Sequence, residues 1–490
     1  MMNLKSTQTK FLSFAIALGV FFAIYFAPLP GQILNNGHII ALNTEGKTVL
    51  ATLAFAVILW ITEAIPFPVT GLYALVVLVL TKVVTLKQVV QDSFGDPIIL
   101  FFIGVLIFSA AFSETILLRR LTTLMRYRLG HKPKLLVLAV LTMGMLLSGG
   151  MVEMAVAAIM LPIGVSILKD AKLEPLKSNF GRALMIACAW GPATGGICTP
   201  VGSGTNPLTI GFMRDLAGIN FTFLDWMAFG YPAAIMMLPF AWLILIKVFP
   251  FEKVDLKITK EDFQERLRLI GPVPRKEFFL VVIFVFTMFL WIAAPWIEKW
   301  SGGSITYLSI SFIAIASSCL LFLPGIEVMT WKKAESSISW GSVILIATGL
   351  ALGIALYKTG GAEWLAWIMF SKIGALHPIG KVFAIVMGVS LIKVLFSSNT
   401  VSGIIMVPLV IALAKTLGIE PILLAIPAGI TSSLAFILVT STPTNVIPYT
   451  SGYFTIKDMA KAGIWMTLAS SVCITISIAV VGKMLGMVNW

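Results

Sequence analysis

Polar residues interrupt two long apolar stretches of this sequence, residues 135–165 and 379–413. The interrupting residues are Ser148, Gly149, Gly150 and Glu153 in the first stretch and Lys393, Ser397, Ser398, Asn399 and Thr400 in the second. Each half of a stretch has about 14 residues, which as a helix reach about 20 Å and cannot cross an apolar layer of about 30 Å. The spacing therefore predicts two re-entrant helical hairpins with polar tips at the middle of a membrane, against protein or a watery cavity.

Two further apolar stretches contain polar breaks. The break residues are Thr199, Pro200, Val201, Gly202, Ser203, Gly204, Thr205 and Asn206 in one, and Thr440, Ser441, Thr442, Pro443, Thr444 and Asn445 in the other. Proline and glycine open a helix there and free backbone groups. Free N–H groups and helix N-termini suit a carboxylate, whereas free carbonyls suit a cation. One such kink is commonly satisfied by neighbouring helices, but four breaks near mid-membrane favour a shared site for a small anion.

Glu153 and Lys393 place charges close to the hairpin tips. A charge at the bilayer centre costs about 2.5–3.5 kcal/mol, so each side chain needs a partner or a use. Snorkelling of Lys393 to a membrane surface is the alternative without function. Our first hypothesis is that Lys393 supplies a fixed positive charge for a dianion, and that Glu153 pairs with it in the empty protein or is a proton site. An unpaired buried charge makes reorientation of the empty protein costly, which favours exchange of one dianion for another.

The composition predicts an integral membrane protein whose main partner is lipid. Of the 490 residues, 58% are hydrophobic and only 12% are charged, about half the charged fraction of a soluble protein. The net charge of +13 comes with basic residues flanking apolar stretches, such as Arg120, Arg128 and Lys132, which favours membrane orientation over nucleic-acid binding. The four cysteines and three histidines have no metal-site, disulfide or haem spacing, so no cofactor is predicted.

Eleven apolar stretches have about the 20 residues that a transmembrane helix needs. They run over residues 11–27, 47–64, 67–85, 97–117, 181–210, 222–249, 278–297, 306–324, 340–370, 420–448 and 463–487. We therefore predict an all-α polytopic membrane protein with eleven transmembrane helices and two re-entrant hairpins. An odd number of crossings places the two termini on opposite sides of the plasma (inner) membrane. With the basic flanks in the cytoplasm, we predict a cytoplasmic N-terminus and an outer C-terminus.

The two halves of the chain match at a nearly constant offset. Ile159-Met160-Leu161-Pro162 returns as Ile405-Met406-Val407-Pro408 after 246 positions, and Thr205-Asn206 returns as Thr444-Asn445 after 239. An odd number of crossings separates the matching elements, so the copies are inverted, as is usual in secondary transporters. The predicted parts are an N-terminal helix in 1–46, a first repeat in 47–250, a charged cytoplasmic linker in 251–277 and a second repeat in 278–490.

Together with these breaks, the motif Ile61-Thr62-Glu63-Ala64-Ile65-Pro66 and residues 436–452 carry a family resemblance. Over nearly the whole chain after the first helix, the sequence resembles the divalent anion/sodium symporter family of dicarboxylate and citrate carriers. The resemblance implies eleven transmembrane helices, two hairpins, a homodimer, and an elevator-like movement of a transport domain.

The resemblance also implies substrate and sodium contacts. In the family a Ser-Asn-Thr motif at each tip contacts substrate carboxylates; it is intact at Ser398-Asn399-Thr400, but its counterpart here is Val152-Glu153-Met154. The broken helices add Ser203, Thr442 and Pro443, beside the candidates Thr205, Asn206, Thr444 and Asn445. Sodium ligands map to Ser148, Val152, Glu153 and Gly202 near the first tip, and to Val394, Ser397, Asn399 and Ser441 near the second. Val152, Glu153 and Val394 lack the hydroxyl or amide groups of the family.

These observations predict a secondary transporter of C4/C5 dicarboxylates (succinate, malate, fumarate, 2-oxoglutarate) that works by sodium-independent exchange. The first alternative is a sodium-coupled dicarboxylate or citrate symporter, in which Glu153 is a cation ligand. An anion channel is the alternative from a different class, but inverted repeats with hairpins favour alternating access. An enzyme is not expected, because the apolar spans contain no histidine and no nucleophile motif with a base.

Overall fold

The structure is a computed structural model that describes residues 7–35, 38–116, 120, 123–124, 127–129, 132–254, 260–304 and 307–486. Residues 1–6 and 36–37 of the predicted N-terminal part, residues 255–259 of the predicted linker, and residues 117, 306 and 487 of the predicted spans lie outside the described residues.

Helices make up most of the described residues. The first half contains α1 (Thr7–Phe26), α2 (Thr44–Thr62), α3 (Phe67–Leu80), α4 (Leu86–Gln91), α5 (Pro97–Ser113), α6 (Pro133–Ser148), α7 (Glu153–Asp170), α8 (Asn179–Gly196), α9 (Thr205–Ala217) and α10 (Phe223–Val248). The second half contains α11 (Lys260–Ile270), α12 (Arg275–Trp300), α13 (Ile310–Leu320), α14 (Trp331–Ser337), α15 (Trp340–Lys358), α16 (Gly361–Phe370), α17 (Pro378–Lys393), α18 (Asn399–Thr416), α19 (Ile422–Ser432), α20 (Pro443–Tyr449) and α21 (Ile456–Met484). Short 3-10 turns span Ser371–Ala375 and Val439–Ser441.

Seven helices in the described part of the chain are long and apolar enough to cross a membrane. This confirms the all-helical membrane class. One element was not predicted: strands β1 (Ile33–Asn35) and β2 (His38–Ile40) pair antiparallel between α1 and α2, with Ile33 opposite Ile40. These strands are too short to show a hydrophobic period in the sequence, which is why pattern analysis missed them.

The two predicted hairpins correspond to the helix pairs α6–α7 and α17–α18. The first pair breaks between Ser148 and Glu153 and the second between Lys393 and Asn399, at the predicted polar tips. The helices have 16 or 18 residues instead of about 14, because α7 and α18 continue past the apolar stretch into polar ends at Asp170 and Thr416. Since α18 alone is long enough to cross a membrane, the re-entrant course of the hairpins stays a prediction.

The other two polar breaks also separate helices. The predicted span 181–210 consists of α8 and α9 with residues 197–204 between them, and the predicted span 420–448 consists of α19 and α20 with residues 433–442 between them. We call 197–204 the first unwound segment and 433–442 the second. Proline disfavours a continuous helix at both places, through Pro200 in the first segment and Pro443 directly after the second.

Matching local features recur in the two halves. Helices α7 and α18 have the same length of 18 residues, and each has a proline in its interior, Pro162 or Pro408. Helices α10 and α21 both begin with a capping box, formed by Thr222 with Asp225 and by Thr455 with Asp458. One hydrophobic core contains residues of both halves. These correspondences support the proposed division into two repeats.

Candidate functional site

The first hairpin tip lies directly against the first unwound segment. The Thr199 hydroxyl donates to the Gly149 carbonyl (2.8 Å), and the Glu153 N–H donates to the Gly202 carbonyl (2.8 Å). A methyl group on Gly202 would lie 2.5 Å from the Gly196 carbonyl oxygen and 2.6 Å from that of Ser148. Only glycine therefore fits at this position, and two backbone oxygens face it.

The second hairpin tip contacts the same segment from another side. Ser398 caps α18 by accepting from the Val401 N–H (3.4 Å). A methyl group on Gly204 would lie 3.4 Å from Oγ1 of Thr400, and one on Gly403 would lie 2.5 Å from Cγ2 of Thr205. The N-terminal ends of α7, α9 and α18 consequently meet around the first unwound segment.

The two tips also touch each other through equivalent residues. Nδ2 of Asn399 donates to Oε1 of Glu153 (2.6 Å), and these positions are 246 residues apart, the offset between the two halves. Oε1 of Glu153 also accepts from the Ser203 hydroxyl (3.5 Å). Residues at equivalent positions of the two tips are therefore in direct contact.

Lys393 belongs to the same buried network. Its ammonium donates to Oδ1 of Asn399 (2.5 Å) and to the carbonyl of Ser432 (2.5 Å), and Nδ2 of Asn399 also donates to the Ser433 carbonyl (2.9 Å). Lys393 is 2% exposed and Glu153 is 5% exposed. The lysine therefore does not snorkel to a surface. Its positive charge and the negative charge of Glu153 lie on opposite sides of one asparagine amide, so the network is neutral when both are ionised.

Asn206 and Asn445 hold the unwound segments. Nδ2 of Asn206 donates to the Gly196 and Thr199 carbonyls (both 2.7 Å), and Nδ2 of Asn445 donates to those of Ala435 (2.7 Å) and Leu438 (3.2 Å). Oxygen Oδ1 of Asn206 accepts from the Ser433 hydroxyl (3.0 Å). Their role as substrate ligands stays a prediction, and the geometry favours positioning of the backbone.

The remaining predicted substrate residues, and the predicted sodium ligands Ser397 and Ser441, lie at different depths. Ser203, Thr205, Ser441, Thr442 and Thr444 are buried, Met154, Ser397, Ser398 and Thr400 are half-buried, and Pro443 is exposed. The Thr442 hydroxyl contacts that of Thr444 (3.4 Å). Thr205 packs against α18 through its methyl group. The side chains that are not fully buried are thus Met154 and Pro443 and, at the second tip, Ser397, Ser398 and Thr400.

A cavity of about 770 Å³ approaches the first tip along α7. It extends from Ala155, two residues after Glu153, to Ser166, and Arg266, Leu269 and Ile270 of α11 form its far wall. Arg266 pairs with Asp170 (2.9 Å), which ties α11 to the end of α7. The cavity gives the predicted linker side of the molecule a path towards the tip.

The candidate cation positions differ at the two tips. Near the second tip, a small cavity of about 20 Å³ is lined in part by Lys393, Val394 and Ser441, which is room for about one water molecule. There, the lysine ammonium already occupies the oxygens of Asn399 and Ser432. Near the first tip, the carbonyl oxygens of Ser148 and Gly196 face Gly202. Oε2 of Glu153 is buried and has no hydrogen-bond partner within the described residues. Oxygen ligands suit a hard cation, and a sodium site at the first tip stays a prediction with Oε2 of Glu153 as its candidate ligand.

Sequence reasoning missed Ser432 and Ser433, which bind the second tip through their carbonyl oxygens. A signal was present, because Thr431-Ser432-Ser433 is a polar run in an otherwise apolar helix. Groups of three or more potential metal ligands among His, Cys, Asp and Glu are absent from the described residues.

Broken helices around a buried polar site are typical of polytopic membrane transport proteins. Comparison places the chain more narrowly: the profile of the family described as the sodium:sulfate symporter transmembrane region matches residues 8–488. The chain belongs to this family. The predicted resemblance to the divalent anion/sodium symporters is therefore confirmed, as is the expectation that the protein is not an enzyme.

Similar proteins include curated relatives and a solved structure. The sodium-dependent dicarboxylate transporter SdcS of Staphylococcus saprophyticus is 30% identical over 456 residues, covering 89% of this chain and 86% of the relative. SdcS of Staphylococcus aureus strain bovine RF122 is 30% identical over 450 residues, covering 88% and 85%. The crystal structure of the Alcanivorax borkumensis YdaH transporter shares the fold, with a TM-score of 0.56, 13% identity and 98% of each chain covered.

Proposed function

We propose that this protein is a secondary transporter of C4/C5 dicarboxylates. The observation that carries the proposal is the meeting of the N-terminal ends of α7, α9 and α18 at one polar site beside two hairpin tips. Helix N-termini present free N–H groups and partial positive charge, which suit carboxylates. Two tips in contact suit an anion with two charged ends. The names of the SdcS relatives support the same substrate class.

For the coupling, we propose sodium symport, the alternative of the sequence analysis, ahead of exchange. The relatives are named as sodium-dependent. The argument for obligatory exchange needs an unpaired Lys393 in the empty protein, but Asn399 joins the lysine to Glu153. A neutral network places no large electrostatic barrier on the return of the empty protein. A bound dianion adds two negative charges in a low dielectric, which accompanying cations offset.

Sodium-independent exchange is the second candidate, and one specific observation favours it. The ammonium of Lys393 takes the oxygens of Asn399 and Ser432, the type of ligand that a sodium ion uses at this tip. The lysine thereby replaces one cation with a charge that never leaves the protein. This replacement predicts fewer sodium ions per substrate than in a carrier with sodium at both tips.

Three further features belong to the proposal, of which the first two rest on the family resemblance and the third on the internal repeat. These are a homodimer, an elevator-like movement of a transport domain, and the division into 1–46, 47–250, 251–277 and 278–490. We also propose that the protein lies in the plasma (inner) membrane with its N-terminus in the cytoplasm.

The test is uptake of radiolabelled succinate into proteoliposomes that contain the purified protein. The vesicles are either empty or loaded with unlabelled succinate, each with and without an inward sodium gradient. Sodium-driven uptake into empty vesicles is the expected result. Uptake that needs internal succinate and ignores sodium would establish exchange instead. If none of the C4/C5 dicarboxylates is taken up or competes in any arm, the substrate proposal is wrong.

A further inference from the structure

The hydrogen bonds of Asn206 and Asn445 are repeated at one offset. The carbonyl acceptors of Asn206 belong to Gly196 and Thr199, and those of Asn445 belong to Ala435 and Leu438. The asparagines, and each acceptor pair in order, are separated by 239 positions. The two unwound segments are therefore held by the same local device.

A third bond is present in only one of the two copies. The Ser433 hydroxyl donates to Oδ1 of Asn206 (3.0 Å), which joins the start of the second unwound segment to α9 across the two halves. The position 239 residues before Ser433 is Thr194, in α8, which packs against α20. Oγ1 of Thr194 and Oδ1 of Asn445 are both buried and have no hydrogen-bond partner within the described residues. The matching bond between them is thus not made.

The two copies differ in residue size one turn before Ser433 and Thr194. One turn before Ser433 lies Gly429, where a methyl group would be 2.3 Å from Oγ1 of Thr209, so α19 approaches α9 very closely. The equivalent of Gly429 is Trp190, one turn before Thr194. Its ring packs edge-on against Phe436, with centroids 5.5 Å apart. A large ring therefore stands in α8 at the position where the other copy has a glycine.

Trp190 adds a third buried polar atom, on the same face of α8 as Thr194 and one turn before it. Its Nε1 is buried and has no hydrogen-bond partner in the described part of the chain. An indole N–H only donates, a hydroxyl donates and accepts, and the asparagine Oδ1 only accepts. Such a set matches one buried water molecule, which typically makes about three hydrogen bonds. The indole donor does not suit a cation.

We propose that Trp190, Thr194 and Asn445 form a buried site for one water molecule, which links the two halves where the other copy has the direct Ser433–Asn206 bond. The second unwound segment, which carries Ser441 and Thr442, is then held through an exchangeable partner, whereas the first is held directly. Trp190, Thr194 and Asn445 are positioning residues for that segment. This last role rests on the proposed function, but the water site does not.

The first test is a double-mutant cycle on the unfolding midpoint of the purified protein in lipid nanodiscs. Trp190→Phe removes the N–H and keeps a ring, and Thr194→Val removes the hydroxyl at similar size. If both bind one water, the double variant loses clearly less than the sum of the two single losses. Thr194→Val with Ser433→Ala is the matched control, because it affects separate copies and its losses add. Additive losses for Trp190→Phe with Thr194→Val would overturn the shared site.

A cryo-EM map that resolves waters provides a second measurement on the unmodified protein. Density for one water between Trp190 Nε1, Thr194 Oγ1 and Asn445 Oδ1 is the expected result. A direct Thr194–Asn445 hydrogen bond without that water would overturn the proposal, even if the variants fold poorly.

The positioning role has its own readout. Thr194→Val is expected to raise the KM for succinate uptake by roughly threefold to tenfold while the maximal rate falls less, because the binding segment is displaced and the route is unchanged. An unchanged KM would refute the positioning role. If the unmodified protein takes up no dicarboxylate, the proposed function fails, whereas the stability cycle and the map still decide the water site.

Discussion

At the scale of single residues, the tip network explains how two charges are kept in the middle of an apolar protein. Glu153 and Lys393 share the amide of Asn399, which donates to one and accepts from the other. Two opposite buried charges that are linked by such hydrogen bonds tolerate a low dielectric, whereas either charge alone does not. The same charged groups lie at the site where a dianion is proposed to bind.

Replacing Glu153 with glutamine keeps an acceptor oxygen for Asn399 but removes the negative charge. Lys393 then lacks its carboxylate partner, so the empty protein carries an uncompensated charge when it reorients. We expect the ratio of exchange to net succinate uptake in proteoliposomes to rise by roughly tenfold, which corresponds to about 1.4 kcal/mol. The double variant Glu153→Gln/Lys393→Met is the control, and it should return towards the original ratio. An unchanged ratio in Glu153→Gln would contradict the charge argument.

Replacing Lys393 with methionine removes the ammonium group that donates to Oδ1 of Asn399 and to the Ser432 carbonyl. Glu153 then has no counter-charge. Removal of one partner of a buried pair costs about 3–5 kcal/mol, so we expect a large fall in the unfolding midpoint and in succinate affinity. Lys415→Met is the matched control, because Lys415 donates to the Leu216 carbonyl (2.7 Å) from an exposed position in α18. Equal falls in the unfolding midpoint and in succinate affinity for the two variants would contradict a stabilising role of the tip network.

At the scale of elements, close helix packing depends on a few glycines. Gly429→Ala would place a methyl group 2.3 Å from Oγ1 and 2.7 Å from Cγ2 of Thr209. Overpacking of this kind costs about 1–3 kcal/mol, and we expect a lower unfolding midpoint and weaker substrate binding. Gly19→Ala in α1 is the control, since a methyl group there meets nothing within 4 Å and alanine favours the helix. A neutral Gly429→Ala would contradict the tight α9–α19 contact.

The N-terminal end of α8 depends on a carboxylate outside the predicted spans. Glu252 accepts from the Ser178 hydroxyl and from the N–H groups of Asn179 (3.1 Å) and Phe180 (3.4 Å). Partial burial on its own raises the pKa of Glu252, but the hydrogen bonds from Ser178 and these N–H groups together lower it below its usual value. A lowered pKa in the folded state gives stability that is present above the unfolded pKa of about 4.3 and is lost as the pH falls through the folded value.

We therefore expect Glu252→Gln to lower the unfolding midpoint by a few degrees at pH 7. The difference from the unmodified protein should shrink as the pH falls below about 4.3. Melting curves between pH 7 and pH 3 provide the measurement, and a difference that grows on acidification would contradict the assignment.

At the scale of the whole molecule, the basic flanks determine the proposed orientation in the membrane. Lys177 follows α7 on the predicted cytoplasmic side, and Ser304 follows α12 on the predicted outer side; both side chains are exposed. Among the four cysteines, Cys319 is exposed and the others are buried, so Cys319→Ser gives a suitable background. On intact cells, a membrane-impermeant maleimide should label Ser304→Cys, and it should label Lys177→Cys only after the membrane is opened. The reverse pattern would invert the proposed orientation.

The sequence by itself determined the features that depend on local chemistry. The length of the apolar stretches predicted the membrane class. The prolines, glycines and polar runs marked the breaks at Ser148, Thr199, Ser397 and Thr440, because an open helix within a membrane needs such residues to break it and to satisfy its backbone groups. The charged residues Glu153 and Lys393 within apolar stretches were also visible in the chain itself.

Only the tertiary structure decided which of these residues meet. Glu153 and Asn399 are 246 positions apart, and no local pattern states that they share a hydrogen bond or that Lys393 is thereby compensated. The engagement of Asn206 and Asn445 by backbone carbonyls and the contrast between Gly429 and Trp190 depend in the same way on helix packing. The breaks follow from the covalent properties of single residues, whereas the charge balance of the site follows from distances that exist only once the two halves are packed together.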